Sequence, residues 1–250
     1  IYTGEDTLSL HDALPISMRR DYHKLNFDEV DIKLMEGTDR VLAMMPEKLR
    51  NKTVAILQEK KVDVRLSTAV VDYDGHTVKL KSGEQIPSRT VIWAAGVKAS
   101  PIMAKLGGEA ARDGRVIVQK NLAIKGLRDV YAIGDCASFV QKEGERPLAT
   151  VAPVAMKEAE LCAKNIIRRI EGVSQENFSY RDMGAMATIG RGAAVLYTGS
   201  ISMTGFFAWS AWLWVHIFKL AGTYANLTVS LKWLWNYLHN TRLSRILINR

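Results

Sequence analysis

The chain has 250 residues, 48% of them hydrophobic, and a net charge of +8. That is enough for one large domain or two ordinary ones with a sizeable core. Its two cysteines, Cys136 and Cys162, form no C-x-x-C pair, which argues against a disulfide framework, a zinc cluster or a reductase using paired redox thiols. The histidines are scattered without metal-like spacing, so no metal is expected.

Residues 1–17 show no clean period. Their TLSLHDALPIS stretch resembles a translated sequencing-library adaptor, so they are expected to be a non-native tail. Beyond them the pattern turns α/β. Residues 30–36 (VDIKLME) predict a strand ending in an acid and a glycine. Residues 46–60 predict a helix with Pro46 in its first turn, and 62–66 a second strand. Asp74-Gly75 is a tight-turn dipeptide between extended runs at 69–73 and 77–80, and Ser82-Gly83 makes the next turn, giving a three-stranded meander. Residues 90–94 (TVIWA) predict a buried strand running into a small-residue loop.

Residues 115–118 and 129–133 are expected to add two strands, the second delivering Gly134-Asp135 at its end. A helix is predicted over 153–170, with Pro153 in its first turn and Gly172 at its stop. Ala155, Ala159, Cys162, Ile166 and Ile170 would share one face of it, at spacings of three and four. Residues 186–203 are largely apolar and strand-like. Within them Gly190-x-Gly192 half-resembles a dinucleotide fingerprint, but it lacks the third small residue and reads as a strand or turn.

The carboxyl-terminal quarter concentrates the charge. From Met183 to Arg250 there is no Asp or Glu, and Arg191, Lys219, Lys232, Arg242, Arg245 and Arg250 supply six of the eight net positive charges. Five of the six tryptophans, Trp209, Trp212, Trp214, Trp233 and Trp235, fall within 27 residues, beside Phe206 and Phe207. Tryptophan next to Lys and Arg favours the lipid headgroup boundary. Nucleic-acid binders interleave aromatics with many more basic residues, so no nucleic-acid partner is expected. A helix over 206–220 would be about 22 Å long, against a hydrocarbon core of about 30 Å. It is expected to lie on the membrane surface, followed by a second helix near 227–238. A buried core helix or a dimer face would also suit such an aromatic stripe.

Three places carry candidate chemistry. Glu36 ends a strand, where an acid can accept hydrogen bonds from the ribose hydroxyls of NAD and repel a 2′-phosphate. The Gly-rich loop that should lie roughly 20 residues before such an acid does not occur, so the chain is expected to begin after it. Ala94-Ala95-Gly96 offers small residues to a flat cofactor, though a tight turn has the same composition. In YAIGDCAS (131–138), Gly134 would let the backbone come close and Asp135 would bind a hydroxyl of a flavin's ribityl chain. The helix that follows would turn its N-terminus to the pyrophosphate. An ordinary strand-to-turn Gly-Asp fits the same residues.

Together, VIWAAGVKASP (91–101), DVYAIGDCASF (129–139), VAPVAMKEAELCAKNI (151–166) and FSYRDMGAMATIGRGAAV (178–195) resemble the type II NADH dehydrogenases. These are non-proton-pumping NADH:quinone oxidoreductases of the FAD-dependent pyridine nucleotide-disulphide oxidoreductase superfamily. GFFAWSAWLWVHIFKLAG (205–222) resembles that family's membrane anchor. The resemblance implies an α/β flavoprotein with two dinucleotide-binding domains, Rossmann-like with a β-meander, truncated at its N-terminus and ending in amphipathic anchoring helices. Residues 18–104 would be a partial NADH-binding domain, 105–185 the end of an FAD-binding domain and 186–250 the anchoring region. Glu36, Ala95 and Gly96 would serve NADH, and Gly134 and Asp135 would serve FAD.

By the same resemblance Ala152, Pro153, Met156 and Lys157 would line the quinone site, Pro153 and Lys157 standing where many members have glutamines. NADH would pass a hydride to the flavin, and the flavin would reduce quinone. The resemblance further implies a homodimer, peripheral on the cytoplasmic face of a bacterial inner membrane or on a mitochondrial one. The alternatives are another flavin-dependent pyridine-nucleotide reductase, or a non-catalytic nucleotide-binding protein on a membrane surface. The 250-residue chain alone is expected to bind FAD poorly and to lack turnover.

Overall fold

The computed structural model describes residues 26, 29–218 and 223–239. The tail expected at 1–17 lies outside them, as do Lys219, Arg242, Arg245 and Arg250. The described chain forms two units, one from residues 95–182 and one from the segments on either side.

The flanking unit opens with a parallel strand-helix-strand. β1 (Ile32–Met35) pairs in parallel with β2 (Val62–Arg65), and α1 (Glu47–Glu59) connects them. Pro46 precedes α1, where its missing N–H costs nothing, and Leu49, Thr53, Ile56 and Leu57 form the buried face. The hydroxyl of Thr53 donates to the Leu49 carbonyl, so this buried polar group is satisfied inside the helix. The meander follows as β3 (Val70–Tyr73), β4 (Thr77–Leu80) and β5 (Gln85–Pro87), all antiparallel. Its first turn is fixed by Asp74, whose Oδ1 accepts the amides of His76 and Thr77 at 2.9 and 2.7 Å, while Gly75 takes φ +97°.

The apolar stretch after Asp182 resolves into β8 (Ala185–Gly190), β9 (Ala193–Tyr197) and β10 (Ser202–Thr204), an antiparallel meander. Gly190 and Gly192 bound the β8–β9 turn, in keeping with the strand-or-turn reading. Ala187, Ile189 and Val195 pack with Met45, Leu49, Ile56, Leu57 and Val62, so the segments before and after residues 95–182 share one core. α4 (Gly205–Phe218) docks on the sheet through the fully buried Ala208, against Ala194 and Leu196. α5 (Thr223–His239) follows.

The unit of residues 95–182 holds a short helix, α2 (Ile102–Lys105), and the parallel strands β6 (Val116–Ile117) and β7 (Ala137–Ser138). Its long helix is α3 (Ala152–Ile170). Val116, Leu122, Ile124, Phe139, Cys162 and Phe178 form the core, with Phe139 and Phe178 edge-to-face at 5.1 Å.

Three sequence expectations are corrected. Residues 90–94 form no strand and lie exposed, with Trp93 65% accessible. No described strand pairs with them, and a lone extended run has nothing against which to bury its side chains. Residues 129–133 likewise form no strand and make a single bridge from Tyr131 to Ala123. On α3 the buried residues are Val154, Glu158, Cys162 and Asn165, so of the apolar series expected on one face only Cys162 is buried, and Ala159, Ile166 and Ile170 are exposed. The helix is rotated because the two buried polar groups find backbone partners. Asn165 donates to the carbonyls of Asn121 and Glu176 and accepts the Glu176 amide, while Glu158 accepts the amide of Gly134.

Candidate functional site

β6 and β7 run side by side, and the residues just before β7 make a tight 3-10 turn over Gly134–Cys136. Ile133 enters it extended, and Gly134 then adopts φ +63°, a conformation glycine takes without a steric penalty. A Cβ on Gly134 would meet that of Ala155 at 3.4 Å, so the turn lies directly against the first turns of α3.

α3 begins after the extended Val151, carries Pro153 in its first turn and has no side-chain cap. The carbonyl of Val151 accepts the amides of Val154 and Ala155. An uncapped helix start next to a glycine turn is suited to an anionic or polar ligand group.

Asp135 lines a cleft of about 220 Å³ together with Val97, Asp113, Arg115 and the loop of Leu148–Thr150. Its half-buried carboxylate has no hydrogen-bond partner among the described residues, leaving it able to accept hydroxyls from a ligand. Arg115 builds the wall. Its guanidinium donates to the carbonyls of Ala137 and Leu148 at 3.3 and 3.1 Å and to Asp113 Oδ2 at 2.7 Å. β7, the Leu148 loop and Asp113 are thereby tied by one charged group.

Behind the turn lies Glu158, 2% exposed. Its Oε2 accepts the Gly134 amide at 2.5 Å. Burial pushes its carboxyl above the ordinary range, the Gly134 amide and Arg115 oppose that, and Asp135 adds to it. A smaller cavity of about 10 Å³, room for one water, adjoins Glu158, Asp135, Arg115 and Thr150. Neither Glu158 nor Arg115 was expected from sequence. Each acts across a gap of more than twenty residues, and no local motif marks it.

Gly134 and Asp135 thus come together with the start of α3. Ala95 and Gly96 are exposed, Gly96 has φ +91°, and the adjacent Val97 reaches the cleft. Ala152, Met156 and Lys157 lie on the exposed side of α3 and Pro153 is half-buried. Lys157 Nζ pairs with Glu160 at 2.7 Å, a solvated pair of neighbouring turns. In the other unit Glu36 stands at the end of β1, half-buried. Its Oε1 accepts the amide and hydroxyl of Thr38 at 2.8 and 2.9 Å. Oε2 has no partner among the described residues.

α4 exposes Phe207, Trp214 and Phe218 in one stripe, and α5 exposes Leu227, Leu231 and Trp235 at four-residue spacing. Trp212 of α4 stacks on Trp233 of α5 at 6.2 Å. Among the described residues no helix is long and apolar enough to cross a membrane, and no group of side chains is arranged to hold a metal ion.

The chain is 33% identical over 202 residues to a type II NADH:quinone oxidoreductase of Staphylococcus saprophyticus, covering 78% of this chain and 50% of that protein. It is 33% identical over 193 residues to the protein of that name from Staphylococcus aureus, covering 76% and 47%. The chain therefore spans about half the length of the curated relatives it matches. In fold it is similar to NDH2 from Plasmodium falciparum, solved in complex with NADH, with a TM-score of 0.83 at 16% identity, covering 96% of this chain and 64% of that one. Residues 21–159, more than half of the sequence, match the model of the pyridine nucleotide-disulphide oxidoreductases, and the chain belongs to that family.

Proposed function

We propose that the protein transfers electrons from NADH through FAD to a membrane quinone; the relatives' name, type II NADH:quinone oxidoreductase, supports NADH as donor and quinone as acceptor. The observation that carries this reading is the Gly134–Asp135 turn, with its unpartnered carboxylate facing a cleft beside the uncapped start of α3. The residues present fit one part of an FAD molecule. Asp135 would accept ribityl hydroxyls, and the N-terminus of α3 would favour the pyrophosphate. When bound, the flavin supplies the hydride and electron chemistry. The chain's own residues bind and orient. Glu36 would take the ribose hydroxyls of NADH through Oε2 and disfavour a 2′-phosphate by like charge. Ala95 and Gly96 would leave room for the nicotinamide.

Ala152, Pro153, Met156 and Lys157 are the candidates for contact with quinone, all but the half-buried Pro153 on the solvent side of α3. The exposed stripes of α4 and α5 support a peripheral seat on a lipid surface, since 183–250 contain no acid to oppose anionic headgroups. We assign that seat to the cytoplasmic face of a bacterial inner membrane, with the protein as a homodimer. We further propose that residues 18–104, 105–185 and 186–250 serve NADH, FAD and membrane respectively. The test is spectroscopic. The purified full-length protein should show flavin absorbance that NADH bleaches and an added quinone analogue restores. A colourless protein would refute the reading.

A further inference from the structure

Glu158 is buried between Val154 and Cys162 on α3. Among the described residues it forms no ion pair, and its hydrogen bond goes to the Gly134 amide rather than to a basic side chain. Arg115 is near enough to favour its ionisation, but that guanidinium is committed to Asp113, Ala137 and Leu148. A buried carboxyl is costly unless its hydrogen bond matters. Here the bond lands on the residue preceding Asp135, at the point where the backbone turns left-handed.

We propose that Glu158 is a positioning residue: it holds the Gly134 amide against α3 and so fixes Asp135 in the cleft where the cofactor binds. The proposal rests on the reading of that cleft as a flavin site. Gly134 has no side chain to anchor the turn, and its neighbour Ala155 offers only van der Waals contact. Glu158 therefore supplies the polar tie between turn and helix. The tie needs an acceptor oxygen, which glutamine also provides, and does not need the charge.

The test compares Glu158→Gln with Glu158→Ala in the full-length protein. Glu158→Ala should weaken FAD binding about tenfold or more, because the Gly134 amide loses its acceptor. Glu158→Gln should stay within about threefold of wild type and keep its visible circular dichroism. Equal FAD affinity and equal flavin dichroism in wild type and Glu158→Ala would overturn the proposal, as would a Glu158→Gln protein as weak as Glu158→Ala. Hydrogen exchange at the Gly134 amide gives a second measure should Glu158→Ala fail to fold. Slow exchange in wild type without flavin is expected, and fast exchange overturns the proposal. A wild type that binds no FAD but protects Gly134 would refute the flavin reading and leave the tie intact.

Discussion

Gly184 offers a stringent test of how the aromatic helices are carried. It sits one residue before β8, opposite the end of β9, at φ +103°. A Cβ built there lies 2.0 Å from the Tyr197 carbonyl oxygen and 2.6 Å from the Cα of Thr198. Ordinary non-bonded contact is about 3.5 Å, so Gly184→Ala must part the strands by more than an ångström. The backbone conformation costs an alanine roughly 1–3 kcal/mol, and forced overpacking adds roughly 1–3 kcal/mol. A loss of about 4 kcal/mol lowers the melting temperature by roughly 10 °C for a protein of this size. Gly199→Ala is the control. It shares the positive φ, at +83°, but its Cβ would meet nothing within 4 Å. Thermal unfolding followed by circular dichroism should show Gly184→Ala falling well below Gly199→Ala. Equal melting temperatures for the two would refute the steric argument.

Three further expectations follow from the site and surface. Asp135→Ala should abolish stoichiometric FAD in a protein that keeps its far-ultraviolet spectrum, measured as flavin absorbance after gel filtration. Glu36→Ser should raise the kcat/KM for NADPH relative to NADH by about tenfold or more, since the like charge opposing a 2′-phosphate is removed; an unchanged ratio would dismiss Glu36 as the selector. Arg169 donates to Asp129 at 2.8 Å and holds that carboxyl below the ordinary aspartate range. A lowered folded-state value contributes stability above the unfolded pKa, and that contribution is lost as pH falls through the lowered value. Asp129→Asn should therefore lower stability slightly at neutral pH, the pair being exposed, and leave it unchanged once pH has fallen below the lowered value, so that the acid side of the profile flattens.

What could be read from sequence was local. The Asp74-Gly75 turn is fixed by its own side chain and neighbouring amides, so its dipeptide announced it. Pro46 marked the start of α1 because a proline, lacking an N–H, fits the edge of a helix and not its interior. The turn at Gly134-Asp135 was legible as a motif, and the structure adds the cleft and the open carboxylate. The buried face of α3 was not legible, because Glu158 and Asn165 are buried by partners at Gly134, Asn121 and Glu176, not by apolarity. The run at 90–94 failed from the opposite cause. Its apolar composition is that of a strand with neighbours on both sides, and composition does not say where those neighbours are.

The shared core of α1 with β8 and β9 has a consequence for biogenesis. Leu57 and Val195 meet in one cluster although the whole 95–182 unit is threaded between them. Closing so long a loop carries an entropic cost before any contact repays it. The inserted unit is continuous in sequence and can collapse as soon as it leaves the ribosome. The flanking unit must wait, with Leu49, Ile56 and Leu57 unprotected, until β8 and β9 have been made. The aromatic helices emerge immediately afterwards, so the exposed Phe207, Trp214 and Phe218 appear just as the sheet that carries them is completed.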